Sequence, residues 1–218
     1  MIAVARTESL SRERIVAAAV AVLDAEGESG LTFRALSTRL RTGAGAIYYH
    51  VAGKDELLVA ATDSVLAGAM PADVPGQSPA DKIRAAALAV FDTIDAHPWI
   101  GAQLTRAASQ PAVLRLFERI GQQVRALGVP AAAQFDSASA LLLYISGVAA
   151  QNAALARSVE PGTDRGDFLE SLAAAPDPAD YPFLHDMTAQ LREHDDRDQF
   201  LAGINLILAG IAAGRPSL

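Results

Sequence analysis

Between Thr32 and Lys54 the sequence TFRALSTRLRTGAGAIYYHVAGK holds Arg34, Arg39, Arg41 and Lys54 and no Asp or Glu, a local charge of +4 in a chain of formal net charge −7. A basic cluster in an acidic chain points to phosphate, because neutralisation by Lys and Arg supplies most non-specific affinity for DNA. Arg34 has the planar fork that reads guanine through two hydrogen bonds. A lysine at a helix start, as Lys54 would be, sits beside free backbone N–H groups and completes an anion site. Tyr48, Tyr49 and His50 are consecutive, and three consecutive residues span more than half of a helix circumference, so they cannot all face a core.

Two short helices are needed to present these groups. The first would bury Phe33, Leu36 and Leu40, spaced i, i+3, i+7, with Thr32 capping its N-terminus and the arginines pointing outward. The chain then breaks at Arg41-Thr42-Gly43, where Thr42 or Gly43 caps a second helix of about two turns from Ala44 to His50. This pair reads as a DNA-binding helix-turn-helix whose second helix enters the major groove. Ala44, Gly45 and Ala46 have no hydrogen-bonding side chains, so they offer only close approach and methyl contacts. Sequence reading then leans on Arg34, Tyr49 and DNA shape.

At these residues the chain resembles the TetR family of bacterial transcriptional regulators. The matching elements are Leu31-Thr32, Leu36, Leu40, Ile47-Tyr48-Tyr49-His50-Val51 and Lys54-Asp55-Glu56-Leu57-Leu58. The turn departs from the family, with Arg41-Thr42-Gly43 where Gly-Val-Ser is common. The resemblance implies that Tyr48, His50 and Lys54 contact phosphates and that Arg34, Ala46 and Tyr49 lie near base edges. Thr32, Ala44 and Gly45 complete the expected DNA-facing set. It also implies a double-stranded operator, a homodimer joined through the last two long helices, and a small-molecule effector held in a helical pocket.

Composition sets wider bounds. A chain of 218 residues with 51% hydrophobic residues can bury a sizeable core, and the absence of cysteine excludes disulfides, thiolate metal sites and thiol nucleophiles. Residues 1–56 balance seven basic against seven acidic residues, so the whole negative charge falls in residues 57–218. The N-terminal apolar run is too short for a signal peptide. The apolar stretches Ala138–Ala150 and Leu201–Ala213 fall short of the roughly 18 residues of a membrane span. A soluble cytoplasmic protein with no membrane partner and no cofactor is expected.

In chain order, Ser11 caps a helix with Ile15, Ala18, Ala19, Val22 and Leu23 at the 3.6-residue period, ending at Gly27 and Gly30. A fourth helix runs from Lys54 to about Met70, before the breakers Pro71, Pro75, Gly76 and Pro79. Further helices are expected at 80–96, 100–109, 111–127, 134–157, 180–194 and 196–214, with a long loop from Ser158 to Asp180. The fold class is all-α: an N-terminal three-helix bundle with the helix-turn-helix over residues 1–56, and a larger helical effector-binding and dimerisation domain over 57–218. In the helix at 134–157, Ala138, Leu141, Leu142, Tyr144, Ile145, Val148 and Ala149 cover most of the circumference. In the last helix, Gly203 and Gly210 lie two turns apart beside an apolar stripe. A two-fold dimer pairing these helices with their copies explains both patterns.

Pocket candidates are Phe91, Trp99, Gln103, Phe117, Tyr144 and Asn152, aromatic or amide groups in otherwise apolar helices. The alternative is a metal-dependent phosphohydrolase using His185-Asp186, His194-Asp195 and His97. His185 and His194 are nine residues apart and fall on opposite sides of a helix, which opposes that reading. No catalytic residues or metal ligands are assigned.

Overall fold

The computed structural model describes residues 9–106, 110–158, 163–174, 176–193 and 195–214. Twelve helices are found there: α1 Arg12–Gly30, α2 Phe33–Leu40, α3 Ala44–Tyr48, α4 Lys54–Ala69, α5 Pro79–Ala96, α6 Trp99–Arg106, α7 Pro111–Ala126, α8 Ala131–Ser158, α9 Arg165–Ala174, α10 Pro182–Asp186, α11 Thr188–Glu193 and α12 Asp196–Ala213.

Local chemistry sets the starts. Ser11 Oγ accepts from Arg14 N at 3.3 Å, Thr32 Oγ1 from Ala35 N at 3.1 Å, and Asp195 Oδ1 from Asp198 N at 2.8 Å. Ser78 accepts from Asp81 N and donates to its carboxylate, a reciprocal cap ahead of Pro79 at the first position of α5. Gly27 sits at φ 67°, ψ −169°, a conformation essentially reserved for glycine, so the long regular part of α1 stops there and one further turn carries it to Gly30.

The head, α1 to α3, closes over Ile15, Ala19, Leu23, Leu36 and Ile47. Its core continues through Leu57, Leu58 and Ala61 of α4 into the apolar residues of α5 to α8 and α12, so one hydrophobic cluster runs from Ile15 to Leu208. α4 belongs to both parts, packing on α1 at one end and on α5, α6 and α7 further along. α8 is the central strut, packed on α5, α6, α7 and α12.

Several expectations are corrected. The segment from Ser158 to Asp180 is not all loop: α9 forms within it, started by Asp164, whose carboxylate accepts from Asp167 N at 3.0 Å. The single helix at 180–194 is two, because Met187 N–H closes onto Phe183 and Leu184 carbonyls at 3.2 Å and Thr188 Oγ1 takes the His185 carbonyl at 2.8 Å. α9, α10 and α11 pack chiefly on one another. α3 is regular only to Tyr48, and Tyr49 and His50 follow in a turn. The end of the helix placed at 100–109 lies outside the described residues beyond Arg106.

α8 also reaches further than the sequence stretches suggested: Ala131–Leu155 spans 25 residues of mean hydropathy 1.4, long and apolar enough to cross a membrane by length and composition. In this fold its apolar side faces four other helices, with Leu141 and Ile145 fully buried. Leu143, on the other side, is 70% exposed, so one chain buries one face of α8.

The two glycines of α12 differ. A Cβ on Gly203 would overlap the Tyr144 phenol, with Cε2 at 2.9 Å, so the close approach is by a side chain of the same molecule rather than by a neighbouring backbone. Gly210 faces open space.

Arg41 caps α2 in the left-handed region at φ 52°, ψ 49°, its N–H directed to the Ser37 and Thr38 carbonyls. A residue with a Cβ pays about 1 kcal/mol there, and glycine does not. Arg41→Gly is therefore expected to raise stability by about 0.5–1 kcal/mol in denaturant titrations, with an unchanged m-value.

Candidate nucleic-acid interface and effector cavity

The reading face is built from α2, the turn that follows it and α3. Leu36 and Ile47 anchor α2 and α3 in the core, which turns the intervening residues outward. Thr32, Arg34, Arg39 and Arg41 are exposed, as are Gly43, Ala44, Gly45 and Ala46. Tyr48 is 54% exposed, its ring stacked on Phe33 at 4.2 Å and 7°; Tyr49 is 87% exposed and meets the His50 ring edge-on at 5.3 Å. The Phe33 stack gives Tyr48 a fixed pose, and its exposure removes the core alternative. The guanidiniums of Arg34, Arg39 and Arg41 have no ion-pair partner among the described residues, so they remain available to an anionic ligand. Thr32 is occupied as the cap of α2. A Cβ on Gly43 or Gly45 would meet nothing within 4 Å, so another backbone can approach α3 closely.

Lys54 is not a free surface charge. Its Nζ donates to the Glu28 carbonyl at 2.6 Å, tying the start of α4 to the end of α1. Arg12 Nη1 binds the His50 carbonyl at 2.9 Å and Glu56 Oε1 at 2.5 Å, while Glu56 Oε2 accepts from Ala52 N at 2.6 Å. These ties fix the recognition turn against α1 and α4.

The Ala52 N–H and then Arg12 hold the Glu56 carboxyl below its ordinary 4.5. A lowered folded value means stabilisation that is complete above 4.5 and lost as pH falls through the lowered value. The melting temperature of Glu56→Gln should lie below that of the native protein from pH 5 to 7, and the two should converge as pH drops below 4.5.

The six pocket candidates are dispersed. Phe91 stacks on Phe200 at 5.0 Å, and Tyr144 stacks on the same ring at 5.6 Å and donates to the Phe200 carbonyl at 3.2 Å. Burial pushes the Tyr144 phenol up from its ordinary value. Trp99 and Gln103 are buried against α1: Trp99 Nε1 donates to Asp24 Oδ1 at 2.7 Å, and Gln103 Nε2 to Glu28 Oε2 at 3.2 Å. Asn152 is half-buried on α8. Phe117 alone of the six lines a cavity of about 760 Å³ between α4, α5 and α7, with Leu66, Ala67, Met70, Val90, Leu116, Arg115 and Arg119 among its other walls.

Reading the sequence missed Arg115 and Arg119, and also the seam between α1 and α6. There, Asp24 receives both Trp99 and His97 Nδ1 at 2.6 Å, and Glu28 receives Gln103 and Arg106. The available signal was spacing: Asp24 and Glu28 are i, i+4 on α1, as are Arg115 and Arg119 on α7.

Nothing supports the metal alternative. His97 is held by Asp24, His194 lies outside the described residues, and among those described no three His, Asp or Glu side chains come together to hold a metal.

Comparison with known proteins agrees with this arrangement. Residues 15–61 match the bacterial regulatory proteins of the tetR family, and residues 73–215 match the tetracyclin repressor-like C-terminal domain. The chain is 31% identical over 205 residues to an HTH-type transcriptional regulator of Saccharopolyspora erythraea, covering 94% of this chain and 85% of that one. The solved structure of the Streptomyces coelicolor transcriptional regulator SCO7222, a TetR, is 50% identical with a TM-score of 0.82, over 94% of this chain and 99% of that one. Streptomyces coelicolor ActR, solved in complex with (S)-DNPA, is 25% identical with a TM-score of 0.74, over 95% of this chain and 100% of that one. With the exposed cationic helix-turn-helix and the helical body matched across nearly their whole lengths, the chain belongs to the TetR family of DNA-binding transcriptional regulators.

Proposed function

We propose that this regulator is a ligand-responsive repressor that binds a palindromic operator as a homodimer in the cytoplasm, and that it is a binding protein rather than an enzyme. The observation that carries the reading is the reading face itself, with three arginines that have no ion-pair partner among the described residues and two exposed tyrosines around a short helix whose exposed start is Ala44-Gly45-Ala46. Residues 1–56 supply DNA recognition; residues 57–218 supply dimerisation and the effector cavity. Arg34, Ala46 and Tyr49 lie toward base edges, Tyr48 and His50 toward phosphate, and Thr32, Ala44 and Gly45 allow close approach. Lys54 contributes charge beside the phosphates while its bond to Glu28 holds the head together.

Dimerisation is supported by exposed apolar stripes: Ala140, Leu143 and Gly147 on α8, and Ala202, Leu206, Ala209 and Gly210 on α12. Helices presenting small residues with an occasional leucine suit close helix pairing in a four-helix bundle. ActR binds a small molecule within the same fold, and the cavity of about 760 Å³ falls in the range of ligand sites. An effector must favour one separation of the two heads over the other to release DNA.

Selection of DNA fragments by the purified protein at fixed salt tests the reading. Native protein should enrich one palindrome, and Arg34→Ala/Tyr49→Ala should lose it, since neither side chain supports the core. No enrichment by folded, ligand-free protein at low salt would refute the operator.

A further inference from the structure

Building on the effector cavity read above, we propose that it takes an amphiphilic organic anion, an apolar body bearing one carboxylate, and that this anion displaces Asp63 from Arg115. The cavity has two distinct sides. Leu66, Met70, Val90 and Phe117 make an apolar wall, whereas Arg115, Glu118, Arg119 and Gln122 follow one another along α7 at i, i+3, i+4 and i+7. A ligand matching it is apolar along its body and polar at one end.

The charge of that end follows from the hydrogen bonds. Arg115 pairs with Asp63 through Nη2, and Arg119 uses Nη2 for the Pro71 carbonyl at 2.6 Å and Asp73 at 3.3 Å. Nε and Nη1 of both arginines have no partner among the described residues; because Nε–H and Nη2 share one edge of the guanidinium, departure of Asp63 gives Arg115 a complete fork for a carboxylate, with Arg119 adding single N–H donors beside it. The one carboxylate in the lining, Glu118, already accepts from Gln122 at 2.9 Å. A cationic ligand would therefore face two guanidiniums against one engaged acid.

The Arg115–Asp63 pair is also the partition between two spaces. Arg115 lines this cavity; Asp63, on α4, lines a second of about 370 Å³ with Arg12, Glu13 and Glu56 of the α1–α4 seam. The pair is half-exposed and therefore weak, so an anion anchored by an apolar body competes with Asp63 at small cost. Once released, Asp63 joins Glu13 and Glu56 in a cleft whose one arginine, Arg12, is committed to Glu56. The added repulsion falls on the seam that holds the reading head to α4. An anion that binds the opened pair better than the closed one shifts the head, and DNA binding opposes the anion by the same factor.

Fluorescence titration of the full-length, ligand-free protein with 1-pyrenebutyrate, 1-pyrenebutanol and 1-pyrenebutylamine tests the ligand class. The butyrate should bind roughly tenfold more tightly than the alcohol, with the amine weakest. Arg115→Met/Arg119→Met should abolish the preference while keeping affinity for the alcohol. Equal binding of butyrate and alcohol, a preference for the amine, or no binding by any of the three overturns the proposal.

A second arm needs no ligand. Arg115→Met, checked for a native melting transition, leaves Asp63 in place but unpaired and should weaken binding to the selected palindrome roughly three- to tenfold, and adding Asp63→Asn should restore it. Unchanged operator affinity in folded Arg115→Met overturns the coupling. If the native protein selects no DNA, the regulator reading fails, and the titration still decides the ligand class. If DNA is selected without a carboxylate preference, only this inference fails.

Discussion

Leu143→Glu combined with Leu206→Glu is expected to turn the proposed dimer into a monomer and to lower operator affinity by roughly two to four orders of magnitude, the gain normally lost when two binding modules are uncoupled. Both leucines stand out from their helices, 70% and 75% exposed, while their neighbours Leu141, Ile145, Ile204 and Leu208 are buried within the chain. The charges therefore meet water in the monomer and a desolvated apolar face in the dimer, where an unpaired carboxylate is costly. Sedimentation should show one protomer mass, and circular dichroism should keep the native helical signal. A dimer that persists at micromolar concentration would place the interface elsewhere and would leave the exposure of these two leucines unexplained.

Gly203→Ala is expected to destabilise the chain by about 1–3 kcal/mol, as overpacking does in a filled core. The phenol of Tyr144 occupies the space a Cβ needs, and it cannot simply swing away. Its ring lies in a ladder with Phe200 and Phe91, and its hydroxyl is bonded to the Phe200 carbonyl at 3.2 Å. For a chain of this size, the loss corresponds to a fall in melting temperature of about 2–4 °C per kcal/mol. Pairing the change with Tyr144→Leu should recover part of the loss, because the two positions share one volume and their effects do not add. Gly210→Ala serves as the contrast. No neighbour among the described residues approaches it, so the stability of a single protomer should rise by about 1 kcal/mol from helix propensity. A concurrent weakening of dimerisation would mark Gly210 as a contact with the partner subunit.

The two parts of the molecule were legible to different degrees. Helix starts could be read because a cap and its target are three residues apart, as in Ser11 to Arg14, Thr32 to Ala35 and Asp195 to Asp198. The reading face was legible for a similar reason: burial of Leu36 and Ile47 by helical periodicity turns Arg34, Arg39, Tyr48 and Tyr49 outward. The short cap Asp164 to Asp167 carried the same kind of signal for α9, but it was hidden among the prolines, glycines and acids around it.

By itself, the sequence determined the all-helical class, the cationic helix-turn-helix and its place ahead of a larger acidic body, because each depends on periodicity or charge within a few turns of chain. Tertiary structure decided which distant residues meet. Lys54 is tied to Glu28, Trp99 and His97 share Asp24, Arg115 holds Asp63, and Tyr144 fills the gap left by Gly203. These partners lie 26 to 75 residues apart. No local pattern specifies them, because packing selects a contact only after α1, α4, α6, α7, α8 and α12 have buried a common core. The same packing placed Phe91, Trp99, Gln103 and Tyr144 in structural contacts and left Phe117, with two arginines the sequence did not single out, around the cavity.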